Sequence, residues 1–467
     1  MALFLYRVFL LLYPLGARII SPWNAKARQW LSGRQGIFER LEQALRPFDP
    51  STSSGQAQLR AGSAQGEPIT DPQTALRQAQ DKPLVWFHCA SLGEFEQARP
   101  LLEKIREARP GHRILLTFFS PSGYEVKKDY PGADAVFYLP ADGPANARRL
   151  LAIARPQLVC WVKYEYWYYY LQEIRQNKVP LLLVSGIFRQ DQPFFKRWGS
   201  FHRSMLACFT HFFVQNQASK QLLGTLGISE TVTVSGDTRF DRVTDIAGQF
   251  KPIPLVESFF NGAPTIVAGS TWSDDEEELD HFANTHPGIK FIIAPHEIDE
   301  AHLKDIEKLF HHTVRYSQLQ VAGSGLQGAD AATGQQPATS NLQPTPNVLI
   351  IDNIGLLSRL YHYATITYIG GGFGEDGIHN ALEAAVYGKP VVFGPVYDKY
   401  AEAIDLVDAG GAFPVENALE LEKTLANLLE DAAAYKQACD ASKHYVYSNT
   451  GATKKIMRYL EEKQILG

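Results

Sequence analysis

Four short stretches combine residue types that could carry acid–base chemistry or bind a ligand. His88-Cys89-Ala90-Ser91-Leu92-Gly93-Glu94 follows an apolar run and opens a helical pattern. Glu94 therefore falls in a first helical turn at the carboxyl end of a strand. The helix dipole favours a carboxylate there, and a carboxylate facing a cleft can act as a general base. The same spacing also fits a capping box between Ser91 and Glu94. Val162-Lys163-Tyr164-Glu165-Tyr166-Trp167 ends a second apolar run. An acid among rings suits a sugar site, the rings stacking on pyranose faces while the acid binds hydroxyls; the alternative is an aromatic surface buried on a neighbouring helix. Ala268-Gly269-Ser270-Thr271-Trp272-Ser273 reads as a strand, a small turn and a helix start, whose free amides can hold an anion. The acids Asp274 to Glu278 that follow read as dipole complements in a solvated first turn rather than a metal cluster. In the fourth stretch, Gly372, Gly374 and Gly377 fit GxGxxG after a strand. That pattern admits a dinucleotide loop, and with it an NAD-dependent oxidoreductase. It equally admits a glycine loop over a nucleotide phosphate with Glu383 on ribose hydroxyls, or a plain helix cap formed by Asn380 and Glu383.

The elements that must position these groups alternate. Apolar runs at Leu84–Cys89, Arg113–Phe118, Ala135–Leu139, Leu158–Val162, Leu181–Ser185 and Phe212–Val214 are separated by helical patterns such as Glu94–Ala108. A second series runs through Val232–Val234, Thr265–Ala268, Lys290–Ala294, Val348–Ile351, Ile366–Ile369 and Val391–Phe393. Strands separated by helices imply βαβ units and parallel sheets. The expectation is an α/β chain of two doubly wound, Rossmann-like domains, 41–230 and 231–467, with the active site in the cleft between them. Segments 49–82 and 320–346 are poor in large apolar residues and read as low-complexity insertions.

The 467 residues suit two to three domains. A net charge of −5 argues against a chain that coats nucleic acid. Cys89, Cys160, Cys208 and Cys439 are too scattered for a disulfide scaffold or a structural zinc site, which suits a reducing compartment. Residues 1–40 stand apart. An apolar stretch from Val8 to Ala17 lies between Arg7 and Arg18, and six basic residues face one acid, Glu39. This segment predicts a helix that meets an anionic membrane surface, or a buried first helix.

Taken in order, the motifs resemble the 3-deoxy-D-manno-octulosonic acid (Kdo) transferases of lipopolysaccharide assembly. The resemblance rests on the apolar N-terminus, SLGE (Ser91–Glu94), SPSG (Ser120–Gly123), YEYW (Tyr164–Trp167), GDTRFD (Gly236–Asp241), AGST (Ala268–Thr271) and IHNALEAAVYGKPVVFGP (Ile378–Pro395). It implies a GT-B glycosyltransferase, inverting and independent of metal or other cofactor. CMP-Kdo would be the donor substrate and the lipid A precursor the acceptor, at the cytoplasmic face of the inner membrane, with no nucleic-acid partner. It further implies Glu94 as base and Glu165 as its acceptor-side support, with Ser91, Gly93, Ser120, Ser122 and Trp167 on the acceptor side. Arg239, Ser270, Thr271, His296, Gly371, Gly372, Asn380 and Glu383 would serve the donor. Tyr168 stands where most relatives carry proline, and the loop Ala294–Ile298 lacks the family's arginine.

Overall fold

A computed structural model describes residues 2–45, 82–326 and 345–467. The two low-complexity stretches lie mostly outside these residues; within the second, residues 320–326 complete a helix, Tyr316–Leu326. The chain divides into two units, Met1–Arg242 with Gly451–Gly467, and Val243–Thr450.

The first unit is built on a seven-stranded sheet of order β3-β2-β1-β4-β5-β6-β7. Its strands are β1 (Leu84–Cys89), β2 (Arg113–Phe118), β3 (Ala135–Tyr138), β4 (Leu158–Val162), β5 (Leu181–Gly186), β6 (His211–Val214) and β7 (Val232–Val234). All pairings are parallel. Strands β1, β4 and β5 are buried throughout, as continuous apolar runs covered on both faces must be. The expected second domain opens on Val232–Val234. That segment instead pairs with β6 as the edge of the first sheet, so the boundary moves from 230 to Arg242. The chain also returns: helix Ala452–Glu462 buries Ile456 and Leu460 in the same core as Phe95 and Leu101. Both carboxylate oxygens of Asp241 accept from the start of this helix, from the Gly451 and Thr453 amides at 2.5 and 2.6 Å.

The second unit repeats the plan with β8 (Thr265–Thr271), β9 (Lys290–Pro295), β10 (Thr313–Arg315), β11 (Val348–Ile350), β12 (Ile366–Ile369), β13 (Val391–Phe393) and β14 (Ala412–Pro414). Their order is β10-β11-β9-β8-β12-β13-β14. The short strands β10 and β14 escaped the sequence reading. In both sheets the strand order reverses beside the first strand, between β1 and β4 and between β8 and β12. Those two points are where ligands bind in open parallel sheets.

Around the second of these points, backbones touch without intervening side chains. A Cβ on Gly372 would lie 2.5 Å from the Gly394 amide nitrogen, and one on Gly370 would lie 2.3 Å from the Ser270 carbonyl oxygen. Gly372→Ala is therefore expected to cost about 1–3 kcal/mol through overpacking, measurable as a lower urea midpoint with an unchanged slope.

The N-terminal helix Ala2–Ile20 has no buried residue and is long and apolar enough to cross a membrane. One side is nonetheless tied to the first unit. The Tyr6 hydroxyl donates to buried Asp142 at 2.6 Å, and Arg7 Nε donates to the Tyr169 hydroxyl at 2.8 Å. Phe4, Leu5, Leu11, Leu12, Leu15 and Ile19 stay exposed on the rest of its surface. Not all six basic residues of this region face outward. The Arg34 guanidinium donates to the Leu139, Trp30 and Phe119 carbonyls and stacks on the rings of Trp30 and Tyr138.

Candidate active site

Glu94 and Glu165 follow directly on β1 and β4, the neighbours at the first unit's reversal point. Helix Leu92–Ala108 begins directly after β1, which places Glu94 in its first turn. The capping box does not form. Ser91 occupies the cap position without a side-chain bond, and Glu94 Oε2 instead accepts the Ala90 amide. Burial pushes the Glu94 carboxyl up to about 7, and the like charge of Glu165 adds to the effect. The Ala90 amide, Lys163 and the Tyr164 amide act in the opposite direction. A carboxyl poised near neutrality can take a proton from a sugar hydroxyl and hold it.

Glu165 is partly exposed. Trp167 Nε1 donates to its Oε2 at 2.9 Å, and Trp161 Nε1 donates to its backbone carbonyl. Phe119 packs on Trp167 with ring centroids 4.7 Å apart. Ser120 caps helix Pro121–Lys127, accepting from the Ser122 amide, and the two hydroxyls lie 3.0 Å apart. A side chain at Gly93 would meet nothing within 4 Å, so that side of the turn is open. The acceptor-side residues of the sequence reading are therefore gathered around the ends of β1, β2 and β4.

Arg239 also belongs to this unit rather than to the second. Its guanidinium is held by buried Asp237, with Nε at 3.0 Å from Oδ2. Gln97 and Gln215 donate to the same carboxylate oxygen. Arg239, first among the causes opposing burial, holds the Asp237 carboxyl below its ordinary value.

The second unit gathers the other predicted donor residues at the ends of β8 and β12. Ser270 adopts a left-handed backbone, φ +56°. That conformation disfavours a non-glycine residue and is typical of functional sites. His296 lies in a stack of rings between Trp272 and His379, with centroids 4.5 and 4.6 Å away. Asn380 Nδ2 donates to Glu383 Oε1 at 3.1 Å, and Asn380 Oδ1 accepts the Leu382 amide.

Two expectations need correction here. The acidic run after Trp272 is not uniformly solvated: Asp275 and Glu276 are buried. Asp275 accepts from the Tyr368 hydroxyl, the Gly371 amide and the Trp272 amide at 2.8, 2.8 and 2.9 Å. Glu276 accepts from the Thr271 hydroxyl at 2.7 Å and pairs with His302. The protein's own carboxylate thus occupies the Gly371 amide, which removes it as a phosphate donor, while Glu276 takes only the hydroxyl of Thr271. Asp275→Ala would leave two buried donors, the Tyr368 hydroxyl and the Gly371 amide, and the half-buried Trp272 amide without an acceptor. It is expected to lower stability by about 3 kcal/mol or more, measured by urea unfolding of the full chain.

Comparison with known proteins completes this geometry. A family model described as 3-deoxy-D-manno-octulosonic-acid transferase (kdotransferase) matches residues 65–242. The 3-deoxy-D-manno-octulosonic acid transferase of Aquifex aeolicus is 28% identical over 367 residues, covering 77% of this chain and 89% of that one. Residues 65–242 thus match the Kdo transferase family, and the similarity to its members runs over most of the chain. The Bordetella pertussis Kdo transferase is 27% identical over 396 residues, with 81% and 87% covered. A bifunctional glycosyltransferase/methyltransferase of Fusobacterium nucleatum is 27% identical over 363 residues, which cover 74% of this chain and 52% of that one, so the chain spans about half that relative's length. Among solved structures, the UDP-GlcNAc 2-epimerase of Neisseria meningitidis superposes with a TM-score of 0.55 at 16% identity, covering 81% of this chain and 100% of that one. This likeness supports the GT-B fold.

Proposed function

We propose that this chain is a Kdo transferase that moves Kdo from CMP-Kdo to the lipid A precursor, lipid IVA, with inversion and without a metal ion. The observation that carries the reading is a buried carboxyl, Glu94, held near pH 7 at the reversal point of the first sheet. Glu94 takes the proton of an acceptor hydroxyl as the hydroxyl oxygen bonds to the anomeric carbon of Kdo. The bond from that carbon to the CMP phosphate breaks, and its electron pair leaves on the phosphate. Preorganised donors stabilise such departing charge; here they are Arg239 and the turn at Ser270 and Gly372. Asn380 and Glu383 bind ribose hydroxyls, His296 contributes from its ring stack, and Glu165 orients the acceptor sugar.

A lipid acceptor suits the first unit. An apolar groove of about 460 Å³ is lined by Leu12, Tyr13, Gly16, Trp30 and Phe119, with Ser120 also on its wall. Phe119 joins this groove to Trp167 and so to Glu165. The N-terminal helix, held on one side by Asp142 and Tyr169, lies along the cytoplasmic surface of the inner membrane with its exposed leucines inserted.

Mass-spectrometric analysis of lipid IVA incubated with enzyme, CMP-Kdo and EDTA tests the proposal. The expected product carries added Kdo. Donor turnover without modification of the lipid would point instead to an epimerase-like enzyme, and binding of NAD(H) with none of CMP to an oxidoreductase.

A further inference from the structure

His88 has no role in the mechanism above, yet it is a fully buried polar side chain beneath the site. Its Nε2 lies 3.4 Å from Glu165 Oε2, outside hydrogen-bond geometry, and has no other hydrogen-bond partner. Its Nδ1 lies 3.0 Å from the Thr117 hydroxyl oxygen. The ring also packs on Trp161, centroid to centroid 4.2 Å.

The neighbouring donors fix where the imidazole proton sits. Trp86 Nε1–H can only donate, and it donates to Thr117 Oγ1 at 2.8 Å. The single Thr117 hydroxyl proton then has two places to go. If it goes to His88 Nδ1, the proton of the neutral ring must sit on Nε2. If it goes to the Phe87 carbonyl at 3.3 Å, Nδ1 must donate to Thr117. An unprotonated Nε2 would then present a lone pair to the Glu165 oxygen, a cost that the first arrangement avoids. The first arrangement therefore places a proton between Nε2 and Glu165 Oε2.

We infer that His88 is a positioning residue that holds the Glu165 carboxylate through an Nε2 proton. Together with Trp167, it places two donors on Oε2, which leaves Oε1 to receive a substrate hydroxyl. The charged and titratable groups around the pair are Glu94 from helix Leu92–Ala108, Lys163 and Tyr164 from the loop after β4, Arg34 from the turn before helix Ile37–Leu45, and Tyr13 from helix Ala2–Ile20. This inference deepens the transferase reading and, for its kinetic part, rests on it.

Two measurements on the full chain test it. The first is the nitrogen-15 spectrum of the His88 imidazole between pH 6 and 8, which needs no turnover. The expected result is a protonated Nε2 throughout, with a signal that shifts in Glu165→Gln. An unprotonated Nε2, or a signal indifferent to Glu165→Gln, overturns the inference even if the enzyme transfers Kdo. The second is a double-mutant cycle on kcat. His88→Leu is expected to lower kcat at least tenfold in the wild type but less than twofold in Glu165→Gln, per folded molecule. Losses that multiply would make His88 merely structural. Absence of Kdo transfer in the wild type would sink the transferase reading, while the spectrum would still decide the contact.

Discussion

Replacing Glu94 with Gln is expected to lower the rate of Kdo transfer about 10²–10⁴-fold, the usual contribution of a positioned general base. The substitution keeps an oxygen that can accept the Ala90 amide, so the turn into helix Leu92–Ala108 should persist. The stability change distinguishes a base from a structural cap. A carboxyl whose folded value is raised to about 7 from an ordinary 4.5 binds its proton more tightly in the native state. Stability therefore falls as pH rises from about 4.5 to 7, with a slope of at most about 1.4 kcal/mol per pH unit from this one group. Gln removes that penalty. Glu94→Gln is therefore expected to be as stable as the wild type near pH 4 and about 1–3 kcal/mol more stable above pH 7, while nearly inactive at both. Lost stability with full activity per folded molecule would mean that Glu94 is a cap and nothing more.

The second large effect concerns the membrane. Leu11 and Leu15 are separated by one helical turn and are 75% and 51% exposed. Burying a leucine side chain is worth about 1.5–3 kcal/mol, so losing two should weaken partition by roughly 10²–10⁴-fold. Leu11→Glu with Leu15→Glu is expected to move the protein from anionic vesicles into the supernatant in a sedimentation assay. Donor binding should not change, because it depends on other residues. Undiminished sedimentation of the double variant would show that the outer face of Ala2–Ile20 does not insert.

Much of this organisation could be read from the sequence because parallel, doubly covered strands are continuous apolar runs. Leu84–Cys89 and Leu158–Val162 have the expected bounds. Both glutamates follow such runs, so their place at strand ends was legible too. What escaped depends on contacts between distant residues. Three residues, Val232–Val234, look alike whether they join the first sheet or the second; only the bond network of β6 decides. The return of Ala452–Glu462 joins Ile456 to a helix some 350 residues earlier, which no local pattern reveals. Asp275 did leave a signal. It stands three residues after Trp272 and takes the Trp272 amide, a capping position. The charge of its neighbours masked it. His88 also left one, as a polar residue within an otherwise apolar buried strand.

The pH dependence of kcat/KM for transfer of Kdo from CMP-Kdo to lipid IVA tests the central claim most directly. The expected profile rises with pH through an acid limb near 7, where Glu94 loses its proton, and the limb vanishes with the activity in Glu94→Gln. A rate that is flat between pH 5.5 and 8.5, or an identical limb retained in Glu94→Gln, would contradict the assignment of Glu94 as the base.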